Sequence, residues 1–301
     1  MIEFKPITLD DAVWARPLFE AENSPSADHN FVNVYCWQWG YGSTIARIYD
    51  RAAIRIDGFG RPIFSYPLGS GDLVPVVHAL REYAEEIGVP FIMRGVTDVQ
   101  RQTLDTLFPG RFDYEEESNA FDYVYLASRL STYSGKALHS KKNHCNRFEA
   151  ENDWRFVPLT KELIPACMEM LEAWKLENAE RLSDSIRHEY EVIDRAMDGF
   201  DELGIEGGVL YSGDRVVGFT YGDLTTPDTL DVHVEKADIS INGAYPMVCR
   251  EFVRMMMNKY PSLKYINRED DMGLDYLRQS KRSYKPEFLL KKYRARWKDA
   301  L

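Results

Sequence analysis

The sequence predicts an α+β / α/β chain: a tandem duplication of one unit in which a central sheet is flanked by helices. Three observations predict it. Phe4-Lys5-Pro6-Ile7-Thr8 precedes a helical run from Leu9 to Glu22, and Phe156-Val157-Pro158-Leu159-Thr160 precedes one from Lys161 to Asn178. Leu80-Arg81-Glu82-Tyr83 is later echoed by Cys249-Arg250-Glu251-Phe252. Around these echoes both halves run strand, helices, three strands, helix, strand, helix, strand. Repetition of a whole order of elements is stronger evidence than any tetrapeptide.

Thr8 and Thr160 stand where a hydroxyl caps the free amides of a helix start. The aromatic segment Phe31–Trp39 reads as core of the first half. Thr44 to Ile56 and Pro62 to Tyr66 read as a hairpin-like pair turned at Asp57-Gly58-Phe59-Gly60. In the second half Gly208 to Tyr211 and Arg215 to Asp223 turn at Ser212-Gly213-Asp214, and Thr229 to Glu235 follows. Pro75 and Pro246 lie near the first turn of the echoing helices, where a missing N–H is tolerated. Short strands Phe91 to Arg94 and Lys264 to Asn267 come next. Helices Val99 to Leu107 and Leu274 to Arg282 follow, then closing strands Tyr123 to Leu126 and Phe288 to Tyr293. These readings give an N-terminal domain over 1–130, a basic linker helix over 131–152 and a C-terminal domain over 153–301.

Length agrees with two domains: 301 residues, 45% hydrophobic and 13% aromatic, suffice for two packed cores. The net charge, 37 − 48 = −11, argues against bulk nucleic-acid binding. Cations are nevertheless concentrated. No acid lies between Asp122 and Glu149, where Arg129, Lys136, Lys141, Lys142 and Arg147 fall. From Arg278 to Lys298 there are nine Lys or Arg and one acid, Glu287. Each tract reads as a local anion site or as a solvated face. Cys36, Cys145, Cys167 and Cys249 have no metal-ligand spacing and read as buried thiols in a reducing compartment. No metal is expected. The chain carries no signal-like start and no run of about 20 apolar residues, so a cytoplasmic protein is expected, with at most transient membrane-surface contact.

The most informative stretch runs from Ile266 to Pro286. A strand ends at Asn267, Arg268-Glu269-Asp270-Asp271 crowd into one turn, and a short helix carries Arg278, Lys281, Arg282 and Lys285. Acids before a helix and cations near its end suit the helix dipole. Adjacent acids repel, however, and strand-to-helix turns are common ligand sites.

That order of elements resembles the Gcn5-related N-acetyltransferase fold, with mixed central sheets. Its tandem form is similar to the C-terminal domain of phosphatidylglycerol lysyltransferases and their DUF2156 relatives. The matching residues are Gly135 to Phe148, Val232 to Asp238 with Gly243-Ala244-Tyr245, and Asn267 to Pro286. The resemblance implies acyl or aminoacyl transfer to an amine or hydroxyl, from acyl-CoA or aminoacyl-tRNA, with the second domain catalytic and the first a degenerate copy. A non-catalytic module for an anionic ligand or tRNA end and a conventional acetyl-CoA N-acetyltransferase are the alternatives.

Under this resemblance Glu235, Glu269 and Asp270 compete as general base, a neighbouring carboxylate being one way to raise a pKa. Tyr284 is a candidate proton donor. Lys141, Lys142, Asn143 and Arg147 lie within two helical turns, Asn143 and Arg147 at i, i+4. With Asn267, Arg268, Arg278, Lys281 and Lys285 they form the expected anion grip, Arg278, Lys281 and Lys285 along one stripe. Asn242-Gly243-Ala244-Tyr245 stands where acyl-CoA enzymes of this fold cradle pyrophosphate, but lacks the leading Arg or Gln.

Overall fold

The structure, a computed structural model, describes residues 2–177 and 184–298. Met1, 299–301 and the end of the helical run expected to reach Asn178 lie outside the described residues. In chain order the first half gives β1 (Lys5–Pro6), α1 (Ala12–Glu22), α2 (Phe31–Tyr41), β2 (Ser43–Ile48), β3 (Arg51–Ile56), β4 (Ile63–Ser65), α3 (Leu73–Glu86), β5 (Ile92–Thr97), α4 (Asp98–Leu107), β6 (Phe112–Glu116), β7 (Asp122–Leu126) and α5 (Ala127–Leu130). The second gives α6 (His139–Glu151), β8 (Trp154–Pro158), α7 (Ile164–Glu177), α8 (Asp184–Asp198), β9 (Glu206–Ser212), β10 (Arg215–Thr226), β11 (Thr229–Ala237), α9 (Ala244–Lys259), β12 (Tyr265–Asn267), α10 (Asp275–Ser283), β13 (Phe288–Leu290) and β14 (Lys292–Trp297).

Two seven-stranded sheets result, in the orders β1-β2-β3-β4-β5-β14-β6 and β13-β7-β12-β11-β10-β9-β8. Read from β8 inward, the second repeats the first strand for strand. Each sheet has an antiparallel run followed by one parallel pair, β4 with β5 and β11 with β12. The duplicated α+β plan with mixed sheets therefore holds. The echoing tetrapeptides fall inside α3 and α9, whose apolar faces (Val76, Val77, Leu80, Ala84; Met247, Val248, Phe252, Met256) are fully or almost fully buried. The helical spacing i, i+4 that brings these residues together is what makes each helix cover its sheet.

Three expectations are corrected. The expected strand Thr44–Ile56 is two strands, β2 and β3, joined by the two-residue turn Tyr49-Asp50 with Tyr49 at φ 51°. Tyr-Asp lacks the Gly or Asn signal of such turns. The closing strand expected over Phe288–Tyr293 breaks at Lys291, and β13 and β14 join different sheets. Each sheet is thus completed by the other half's chain, β14 between β5 and β6 and β7 between β12 and β13. The compact units follow this exchange rather than contiguous halves: one comprises 1–122, 270–273 and 290–301, the other 123–269 and 274–289. Finally, α6 is no free linker. Its Cys145 and Phe148 are completely buried in the second unit's core, beside Tyr125, Met247 and Phe252.

In the first unit, β14 carries Lys292 into the interior, 1% exposed, where its ammonium meets Asp122 at 2.7 Å and Asp28 at 3.1 Å. A buried ammonium is tolerated only with such partners, so these carboxylates fix the exchanged strand.

Candidate active site

The second unit holds a buried charged cluster where its parallel pair opens. β11 and β12 are paired through Asp231↔Asn267; there β12 ends, while β11 runs on to Ala237. Glu235 lies on this overhang and Arg268 is the first residue past β12. They form an ion pair through Glu235 Oε2, with side chains 8% and 12% exposed. Glu235 Oε1 and one Arg268 terminal nitrogen are buried without a hydrogen-bond partner. Burial alone would lower the Arg268 pKa, but the charge of Glu235 holds it well above its usual value.

Tyrosines wall the pair. The Arg268 guanidinium lies 4.4 Å from the Tyr284 ring centroid and 5.7 Å from that of Tyr125. Lys141 Nζ, from the first turn of α6, sits 3.9 Å from the same Tyr284 ring. Burial, and then the positive Arg268, lower the Lys141 pKa. Burial holds the Tyr284 hydroxyl protonated, well above its usual pKa. Tyr125 donates to the Lys281 carbonyl at 2.7 Å, and Tyr133 to the Pro246 carbonyl at 2.8 Å. The cysteines here are inert: burial pushes Cys145 and Cys249 up to about 12, so a thiolate nucleophile is absent from this cluster.

A second group adjoins it on β11. His233 is skipped in the register between Tyr221↔Val234 and Gly222↔Val232, the extra residue of a β-bulge. Its Nε2 is 2.8 Å from Asp223 and its Nδ1 3.0 Å from Glu269. Asp231 lies 3.8 Å from Nδ1. Burial would lower the imidazole pKa, but the Asp231 charge and the bonds to Asp223 and Glu269 raise it well above 6.5. A carboxylate at each nitrogen favours the imidazolium, the form in which both nitrogens donate. Asp231, His233 and Glu269 are also close enough to share a cation, a grouping the sequence reading did not anticipate. An imidazolium has no lone pair for a metal, so the two states exclude each other.

The acidic turn divides between tasks. Asn267, fully buried, accepts from the Glu269 amide at 2.7 Å and so supports Glu269 at φ 56°. Asp270 and Asp271 belong to the first unit, where each accepts from a backbone amide two residues on, of Met272 and Gly273. The idea that Glu269 and Asp270 act as a mutually perturbed pair is corrected: Glu269 is engaged with His233, while Asp270 acts on Lys292 and Arg94.

The expected anion grip also divides. Lys141 enters the buried cluster. Lys142, Asn143 and Arg147 are exposed, and Arg147 bonds Glu151 at 2.8 Å. Lys281 turns inward and donates to the Arg268 carbonyl at 2.5 Å, which removes it from the stripe with Arg278 and Lys285. Arg282, a cation of this helix that was not part of the expected grip, takes its place: Arg278, Arg282 and Lys285 line an open depression of about 530 Å³. At the expected cradle, Gly243 has φ 89°, and a Cβ there would collide with the His144 carbonyl oxygen. His144 Nδ1 and Asn242 Oδ1 are 2.7 Å apart, Ala244 is buried and Tyr245 packs on the core. The loop is therefore pressed against the backbone of α6.

Residues 20–296 match the family described as phosphatidylglycerol lysyltransferase, C-terminal. The chain belongs to this family. A conserved protein of unknown function from Bacteroides thetaiotaomicron is 35% identical, with TM-score 0.91 over 99% of this chain and 100% of that one. L-PGS from Bacillus licheniformis shares the fold at 13% identity, TM-score 0.61, over 90% of this chain and 93% of that chain. An uncharacterised protein of Mycoplasmoides gallisepticum is 25% identical over 202 residues, 66% of this chain; the match spans 62% of that relative's length. The tandem acyltransferase-like fold is thus shared with these two solved structures. No helix among the described residues is long and apolar enough to cross a membrane.

Proposed function

We propose that the chain is an aminoacyltransferase that moves an aminoacyl group from an aminoacyl-RNA ester to an amine or hydroxyl acceptor, using the cluster around Glu235. Family membership supports the transferase class. The observation that carries the residue roles is the buried Glu235, with one oxygen fixed by Arg268 and the other without a hydrogen-bond partner. A carboxylate oxygen so placed suits removal of a proton from an attacking group.

In this reading the acceptor N–H or O–H attacks the ester carbonyl. The new C–N or C–O bond forms as the proton passes to Glu235, and Arg268 with Lys141 offsets the negative charge on the carbonyl oxygen. The intermediate then collapses, the ester C–O bond breaks, and the departing RNA hydroxyl takes a proton from Lys141 or from Glu235. Tyr284 serves as a ring platform for the two cations. An acyl-CoA donor is disfavoured because the Asn242–Tyr245 loop faces the His144 carbonyl, where a pyrophosphate needs amide donors.

The test is transfer of a labelled aminoacyl group from a bulk aminoacyl-tRNA pool to amine and hydroxyl acceptors. Glu235→Gln should lower turnover by at least about 100-fold, the scale of general-base loss, with RNA affinity unchanged. Equal turnover by Glu235→Gln would remove Glu235 from the chemistry. Absence of transfer from every donor would leave a binding module.

A further inference from the structure

We infer that the outer face of α10 binds the phosphodiester backbone at the acylated 3′ end of the donor RNA. This inference rests on the aminoacyl-donor reading and adds where the donor's phosphates are held. Every residue lining the depression is polar or charged: Asp275, Arg278, Gln279, Arg282, Ser283 and Lys285. Arg282 and Lys285 are exposed, and among the described residues no carboxylate pairs with either. Arg278 is only 3.7 Å from Asp275, itself almost fully exposed. Arg282 and Lys285 at the edge of a concavity, with the Gln279 amide beside them, match a phosphate chain.

Two features point to RNA rather than a lipid surface. No apolar side chain lines the depression, so an acyl chain finds nothing to bury. Tyr276 stands at i−3 and i−7 from Gln279 and Ser283, hence on the same helical face, and the residue is 53% exposed. An exposed aromatic beside cations is a stacking platform for an unpaired base.

Position supplies the link to the chemistry. Ser283 and Lys285 line the depression, while Tyr284 between them is buried against Arg268 and Lys141. Consecutive Cα atoms are about 3.8 Å apart, so phosphate face and buried cluster lie on two sides of one chain turn. In this inference the 3′-terminal ester is directed toward Glu235 while the preceding phosphate stays outside. The net charge of the chain, −11, disfavours RNA spreading over the rest of the surface.

The experiment is fluorescence anisotropy of an unacylated acceptor-stem RNA hairpin with an unpaired 3′ end, on the full chain, across a salt series. Arg282→Ala and Lys285→Ala should each weaken binding roughly fivefold or more and reduce the log–log salt slope by about one. Tyr276→Ala should weaken it roughly fivefold and Tyr276→Phe should restore it. Lys298→Ala, in the first unit, should leave it unchanged. Unaltered RNA affinity in the Arg282/Lys285 double variant overturns the inference. So does loss of binding to vesicles of 30% phosphatidylglycerol with RNA binding intact. If that variant binds RNA normally while Glu235→Gln abolishes transfer, the inference falls and the aminoacyl reading stands. If RNA binding is lost in the double variant but no donor is turned over, the RNA site stands and the transferase reading falls.

Discussion

Replacing Arg268 by Met tests whether the Glu235–Arg268 pair is a dry ion pair or a solvated one. Both side chains are at most 12% exposed, and one atom of each is buried without a partner. Removing the guanidinium strands the Glu235 carboxylate, a change that typically costs about 3–5 kcal/mol. Glu235→Met strands Arg268 with a similar cost. The double Met variant buries no charge and should return to within about 1 kcal/mol of wild type, leaving a coupling of at least about 5 kcal/mol. Urea unfolding followed by circular dichroism reads this directly, and in a thermal scan each single variant should melt roughly 6–20 °C lower. Two single variants within about 1 kcal/mol of wild type, with additive effects, would show that water reaches the pair. Glu235 would then have no low-dielectric surroundings in which to act as a base.

Three further outcomes are expected. His233 has its pKa raised by Asp231, Asp223 and Glu269, so the stability it contributes is complete below about 6.5 and is lost as pH rises through the higher folded value; His233→Gln should abolish that alkaline loss in a pH series of unfolding measurements, and an unchanged profile would refute the assignment. Lys292→Met leaves the fully buried Asp122 carboxylate without its ammonium partner and should destabilise the first unit by about 3–5 kcal/mol, seen as an earlier urea transition. Gly243→Ala, at φ 89° and against the His144 carbonyl, should cost clearly more in the same assay than Gly213→Ala, at φ 59° with open space around it, which should cost about 1 kcal/mol; equal costs would show that α6 moves freely from that loop.

The sequence by itself determined the duplicated order of elements, because hydrophobic periodicity and turn residues are local and both copies carry them. It also singled out Glu235, Arg268, Lys141 and Tyr284 as candidates, on short segments resembling a known family. What it could not determine was company. Asp270 parts from Glu269, Lys281 turns inward to the Arg268 carbonyl, and Arg282 takes its place on the outer face, although all lie within fifteen residues of one another. Tyr125 reaches Arg268 only because β7 crosses into the other half's sheet. Strand exchange and side-chain direction depend on pairing between segments more than 100 residues apart, and such non-local pairing leaves no periodic mark on either segment alone. Tertiary structure decided which of the predicted charges share a buried, low-dielectric space, and burial is what turns a common Glu–Arg pair into a candidate for chemistry.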